Sequence, residues 1–181
     1  MALELLHAGF LGILATILAL LEIEIEGNAG WAERLPTFTL RHKLFGKKVT
    51  GYHILMISLL VTLMHYPYVS GVTWTWQKEL ITLSDYFLLA VFWDFFWFIL
   101  NPYYGLKNFK REKIWWHAQS RWLFGWPLDY YSGILIALGL SYAASGMNSF
   151  MFNLEACLIM TGLLAVLEST YHKLYWKLHQ N

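Results

Sequence analysis

Charge is what this sequence has least of. Asp, Glu, Lys and Arg make up 14% of it, and the net charge is +1. An average soluble domain holds about 25% charged residues. So small a surplus excludes the bulk electrostatic attraction on which nucleic-acid binding depends. Cysteine is almost missing. Cys157 stands alone, which excludes an intramolecular disulfide and any multi-cysteine zinc or iron–sulfur site. There is no internal repeat, no linker and no low-complexity tract, so residues 1–181 are read as one domain. No basic residue precedes the first apolar run and no small-residue cleavage site follows it. That run is expected to be a membrane span rather than a removable signal peptide.

What is abundant is apolar and aromatic surface: 57% of the residues are hydrophobic and 18% are Phe, Trp or Tyr. A bilayer-spanning helix takes about 20 apolar residues. Five segments meet that length, near Leu5–Ile25, Gly51–Val69, Ile81–Tyr103, Leu128–Ser145 and Phe150–Tyr171. The expected fold is all-α, an integral membrane bundle of five transmembrane helices. Arg34, Arg41, Lys43, Lys47 and Lys48 lie between the first two spans. Lys107, Lys110, Arg111, Lys113 and Arg121 lie between the third and fourth, and Lys173 and Lys177 near the C-terminus. The opposite connections hold Lys78 alone. The positive-inside rule then puts the N-terminus outside and the C-terminus in the cytoplasm.

Proline and glycine punctuate the spans. Pro102 closes the third and Pro127 opens the fourth, where a missing amide is tolerated. Gly146-Met147-Asn148 forms an outer turn. Gly27-Asn28-Ala29-Gly30 lacks the preceding strand and following lysine of a phosphate loop, and reads as a turn. Asn108–Trp122 is predicted to be an amphipathic helix on the cytoplasmic surface, with Lys110, Lys113, His117 and Arg121 on one side.

Within this topology, polar residues gather in the cytoplasmic leaflet. The run AVFWDFFWFILNP, residues 90–102, carries one carboxylate, Asp94, in its middle. A charge at the bilayer centre costs about 2.5–3.5 kcal/mol on insertion scales, so it needs a partner or a function. Glu22 and Glu26 are four residues apart and share a helix face, as do Glu168 and His172. His53 begins the second span, Asp129 the fourth, and Asn101 ends the third. Carboxylates and histidines on facing helices are how bundles hold one or two metal ions. Oxygen and nitrogen donors without thiolate suit iron, manganese or zinc.

The expectation is a site where Glu22, Glu26, Asp94, Glu168 and His172 hold a divalent metal, iron favoured. Asp94, two turns deeper than Glu22, serves there as ligand or general base, with His53 nearby. Lys110, His117, Arg121 and Asn101 are expected to bind substrate, the basic ones gathering an anionic head group. The implied function is a membrane oxidoreductase, hydroxylating or desaturating a lipid or other hydrophobic small molecule. The plain alternative for each residue is structural. Those near span ends reach water, and Glu168 with His172 is worth a few tenths of a kcal/mol as a surface pair. His42 and His179 are read as solvated. The aromatics are read chiefly as packing.

A sparser polar set, His7, His65, Asp85 and Glu155, falls in the outer half. Asp85 and Asp94 are nine residues apart and face opposite ways, against one continuous ion path. Three other functions compete. A b-type cytochrome or quinone-reactive carrier would use His53 with His172 and His7 with His65 as haem ligands. The twelve-residue spacing of His53 and His65 turns them about 120° apart. A proton-coupled transporter would use the intramembrane acids, but no inverted repeat is visible. An accessory subunit of a membrane complex would pair its acids with a partner's basic residues. The partners expected are membrane lipids and a hydrophobic small molecule, with a homo-oligomer or larger membrane complex left open.

Overall fold

A computed structural model describes residues 2–44, 47–114, 117–118 and 120–179. It is mostly helical. Helix α1 runs Ala2–Glu26, α2 Gly51–Val69, α3 Trp76–Leu100, α4 Gly105–Asn108, α5 Leu128–Ser145 and α6 Met147–Leu178. Two small antiparallel hairpins interrupt them: β1 (Thr39–Leu44) with β2 (Lys47–Thr50), and β3 (Trp122–Leu123) with β4 (Trp126–Pro127). Among the described residues, four helices are long and apolar enough to cross a bilayer: Leu5–Glu26, Gly51–Val69, Trp76–Leu100 and Met147–Leu178. The fourth expected span forms α5, whose apolar run is diluted by Asp129, three tyrosines and three serines.

Helix α3 is the axis of the bundle. Thr75 caps its first turn by accepting from Lys78 N–H, and Glu79 adds favourable charge there. Toward its other end the residues from Phe95 to Leu100 are all buried, because α1, α5 and α6 all pack on it. The most extensive packing is against α5, where Gly133 leaves room for the side chain of Val91. By contrast α2 touches α3 lightly and leaves most of its surface outward, Leu55 and Val69 included. In water that exposure would be costly; in hydrocarbon it is the expected outer face. A gap between α2 and the α1–α3 pair follows from this loose packing.

The segment after α3 departs from the expected surface helix. Past the four residues of α4, the described part of Asn108–Trp122 folds as turns leading into the β3–β4 hairpin. The reason lies in what it buries. Phe109, Ile114 and His117 are all buried, at 7%, 0% and 5% exposure, while the described chain between them runs through turns. Phe109 packs edge-on against Phe95 and Phe98 of α3 and tilted against Trp122 of the hairpin, with ring centroids 5.1–5.5 Å apart. Burial of these rings outweighs the weak helix preference of a Trp- and His-rich stretch. Trp115 and Trp116 lie outside the described residues.

Candidate functional site

The end of α1, the first three turns of α2 and residues 86–97 of α3 line a cavity of about 260 Å³. Glu22 and Glu26 come from α1, Tyr52 and His53 from α2, and Asp94 from α3. Trp31, Trp93, Trp97, Tyr86 and the aliphatic side chains of α2 make up the rest of the wall. It is therefore a mostly apolar, aromatic chamber with a polar floor, as small-molecule sites are.

Each floor residue is held by local geometry. Thr50 N-caps α2 in a reciprocal box with His53: its backbone N–H donates to His53 Nδ1 at 3.3 Å, and its hydroxyl lies 2.7 Å from the same atom. The His53 ring rests 4.5 Å from that of Trp31. Glu22 accepts from the Tyr52 hydroxyl at 3.2 Å. Glu26 accepts from the backbone N–H of Ala32. That bond closes a loop in which Gly27, Trp31 and Ala32 all take positive φ, at 62°, 57° and 50°. Left-handed backbone at two non-glycine residues stores strain and persists only where surroundings dictate it. Here it folds Trp31 over the cavity mouth, with its indole N–H on Lys48 O at 2.7 Å and the Lys47 ammonium 4.6 Å from its ring. Burial lowers the pKa of Lys47, and the negative charges of Asp94 and Asp129 pull it back upward.

Asp94 joins the cavity to a second set of groups. Its Oδ2 accepts from the Tyr130 hydroxyl and from His117 Nε2, the latter at 3.1 Å. Neither bond uses Oδ1. On its far side, His117 Nδ1 lies 3.6 Å from Asp129 Oδ2, an ion-pair distance rather than a hydrogen bond. Ser120 Oγ holds that same Asp129 oxygen at 2.6 Å. Burial opposes charge on His117, but the carboxylates of Asp129 and Asp94 outweigh it and raise its pKa above the ordinary imidazole value.

The other expected site residues lie elsewhere. His172 Nε2 donates to Ile99 O at 3.0 Å, and Glu168 Oε1 accepts the backbone N–H of Leu106 at 2.9 Å. Both brace the turn after α3, where Gly105 at φ 67° leaves room for them. Asn101 is fully buried, with Nδ2 on Gly27 O at 2.8 Å and Oδ1 on Tyr103 N–H at 3.1 Å. It ties that turn to the α1 loop and is spent on backbone. Lys110 and Arg121 are exposed, whereas His117, expected beside them at the surface, is buried against Asp94. Among the described residues, no three His, Cys, Asp or Glu side chains are grouped to hold a metal ion. The expected five ligands thus divide between a cavity and a turn, do not fit one metal centre as placed, and carry no metal step.

Sequence reasoning missed Tyr52, Tyr130 and Lys47, and gave Asp129 a passive role. The available signal was adjacency: Tyr52 precedes His53, and Tyr130 follows Asp129. At the opposite end of the bundle, His7 pairs with Asp85 at 3.1 Å and His65 with Glu79 at 3.1 Å, so each of these histidines has a carboxylate partner. The chain matches no protein-family model, no curated protein and no solved structure.

Proposed function

We propose that this chain is a membrane-embedded enzyme performing acid–base chemistry on a lipid or other hydrophobic molecule, with Asp94 as the proton-transferring group. One observation carries the reading. Three carboxylates, Glu22, Glu26 and Asp94, face a cavity of about 260 Å³ whose remaining wall is mostly apolar and aromatic. Such a chamber excludes bulk water and strengthens every electrostatic contact inside it. The reading places α5 as a fifth span, with the N-terminus outside, the C-terminus in the cytoplasm and the cavity in the cytoplasmic leaflet. The basic loops support that orientation. A hydrophobic substrate enters beside loosely packed α2, and its polar end meets Asp94 Oδ1, Tyr52 and His53.

Proton-coupled transport is a second reading, favoured by a polar outer cavity that includes His7, Ser141 and Asn153. The carboxylates Glu22, Glu26 and Asp94 line the aromatic cavity and not this one, which favours the enzyme reading. The test is to incubate the protein in vesicles of native lipid extract in D₂O and follow the lipids by mass spectrometry. The enzyme reading expects one lipid class to gain solvent deuterium or change structure with wild type and not with Asp94→Asn. If no lipid differs between the two, the enzyme reading is wrong.

A further inference from the structure

The exposures of three neighbouring side chains form a sequence: 53% for Asp129, 6% for His117 and 35% for Asp94. Asp129 opens at the polar end of the bundle, beside Ser120 and the β3–β4 hairpin. Asp94 opens on the cavity that it lines. His117 fills the space between, its Nδ1 turned to one carboxylate and its Nε2 to the other, at 3.6 and 3.1 Å. The rings of Phe98 and Tyr130 lie 5.9 and 5.4 Å from it. Imidazole is the side chain that can accept at one nitrogen and release from the other near neutral pH.

We propose that Asp129, His117 and Asp94 form a proton-exchange path linking water at the polar end of the bundle to the buried cavity. This deepens the acid–base reading above, because an enclosed base needs an outlet for its proton between turnovers. Inward, a proton from the Asp129 side binds Nδ1 of neutral His117 and makes imidazolium. The Nε2–H bond then breaks as an O–H bond forms on Asp94 Oδ2, which leaves neutral imidazole and a neutral carboxyl. The same steps reversed carry a proton out and return His117 to its first tautomer. The groups facing His117 are Asp94 from α3, Asp129 and Tyr130 from α5, and at longer range the charge of Lys47 from β2. Tyr130 donates its hydroxyl to Asp94 and so positions the carboxylate.

The test needs no substrate. Time-resolved infrared spectroscopy of the protein in nanodiscs follows the Asp94 carboxyl band after a downward pH jump, the band being assigned by its loss in Asp94→Asn. His117→Gln keeps an N–H donor toward Asp94 but cannot relay. The path predicts that protonation of Asp94 slows about 100-fold in this variant, with the same final amplitude and partial rescue by added imidazole. Protonation at the wild-type rate overturns the path. If His117→Gln does not fold, Asp129→Asn, at an exposed position, decides in its place: slowed protonation supports the path and an unchanged rate overturns it. Slowed protonation without any lipid conversion would keep the path and remove the enzyme reading. An unchanged rate with deuterium entering a lipid would do the reverse.

Discussion

Two carboxylate–histidine sets lie near the same end of α3, and they do opposite things. Glu168 and His172 sit four residues apart on α6, yet their hydrogen bonds go to backbone, at Leu106 N–H and Ile99 O. Asp94 and His117 are 23 residues apart, and they bond each other, with Tyr130 and Asp129 completing the set. The first set spends its capacity fixing a turn. The second keeps titratable groups in contact with one another and leaves Asp94 Oδ1 to the cavity. Residue type does not separate the two sets. What separates them is whether the partner is a peptide group, which cannot change its charge, or another group that can.

That contrast can be broken or sharpened by substitution. The largest effect is expected at Asp94. Asp94→Asn should lower lipid conversion by about 10²–10⁴-fold, the usual contribution of a positioned acid or base, measured as solvent deuterium incorporated per unit time. Next comes Asn101→Ala, which removes the side-chain partner of Gly27 O and of Tyr103 N–H. It should cost about 1–3 kcal/mol of stability, read as a lower midpoint of thermal unfolding in detergent. His172→Ala should cost about 1 kcal/mol through the loss of one hydrogen bond to Ile99 O, with conversion retained. A drop in conversion as large as that of Asp94→Asn would join the two sets into one site and undo the comparison.

The smallest effect is a pH dependence of stability. His117 is held above its ordinary pKa of about 6.5 by Asp129 and Asp94. The folded state therefore binds this proton more tightly than the unfolded one. Its stabilisation is fully present below about pH 6.5 and fades as pH rises through the raised folded value. Unfolding midpoints of wild type and His117→Gln across that range should converge on the alkaline side. Parallel curves would show His117 to be neutral throughout.

The helical frame was legible because hydrocarbon permits few backbone solutions, and long apolar runs announce one of them. Helices α2 and α5 fall over Gly51–Val69 and Leu128–Ser145 as read from sequence. The segment after Pro102 was not legible, since periodicity on paper put Lys110, His117 and Arg121 on one helix face. Long-range ring packing of Phe109 against Phe95 and Phe98 decides that segment instead, and no local pattern encodes it. At the site, Asp94 stands out by the cost of burying charge, Glu22 and Glu26 by their shared helix face, and His53 by its place at the start of α2. Glu168 and His172 were added on the same logic, because i, i+4 spacing tells which side chains share a face and not what that face meets. The strained loop at Trp31 and Ala32 was equally hidden, since positive φ at non-glycine residues is imposed by surroundings.

The central claim is that the Asp94 cavity is the working site and the Glu168–His172 pair its scaffold. Parallel assay of Asp94→Asn and Glu168→Gln, each with conversion and unfolding midpoint measured on the same preparation, tests it most directly. The account predicts that Asp94→Asn loses conversion by about 100-fold or more while its stability stays within about 1 kcal/mol of wild type. It predicts that Glu168→Gln keeps conversion within about twofold. Conversion retained in Asp94→Asn and lost in Glu168→Gln would contradict it.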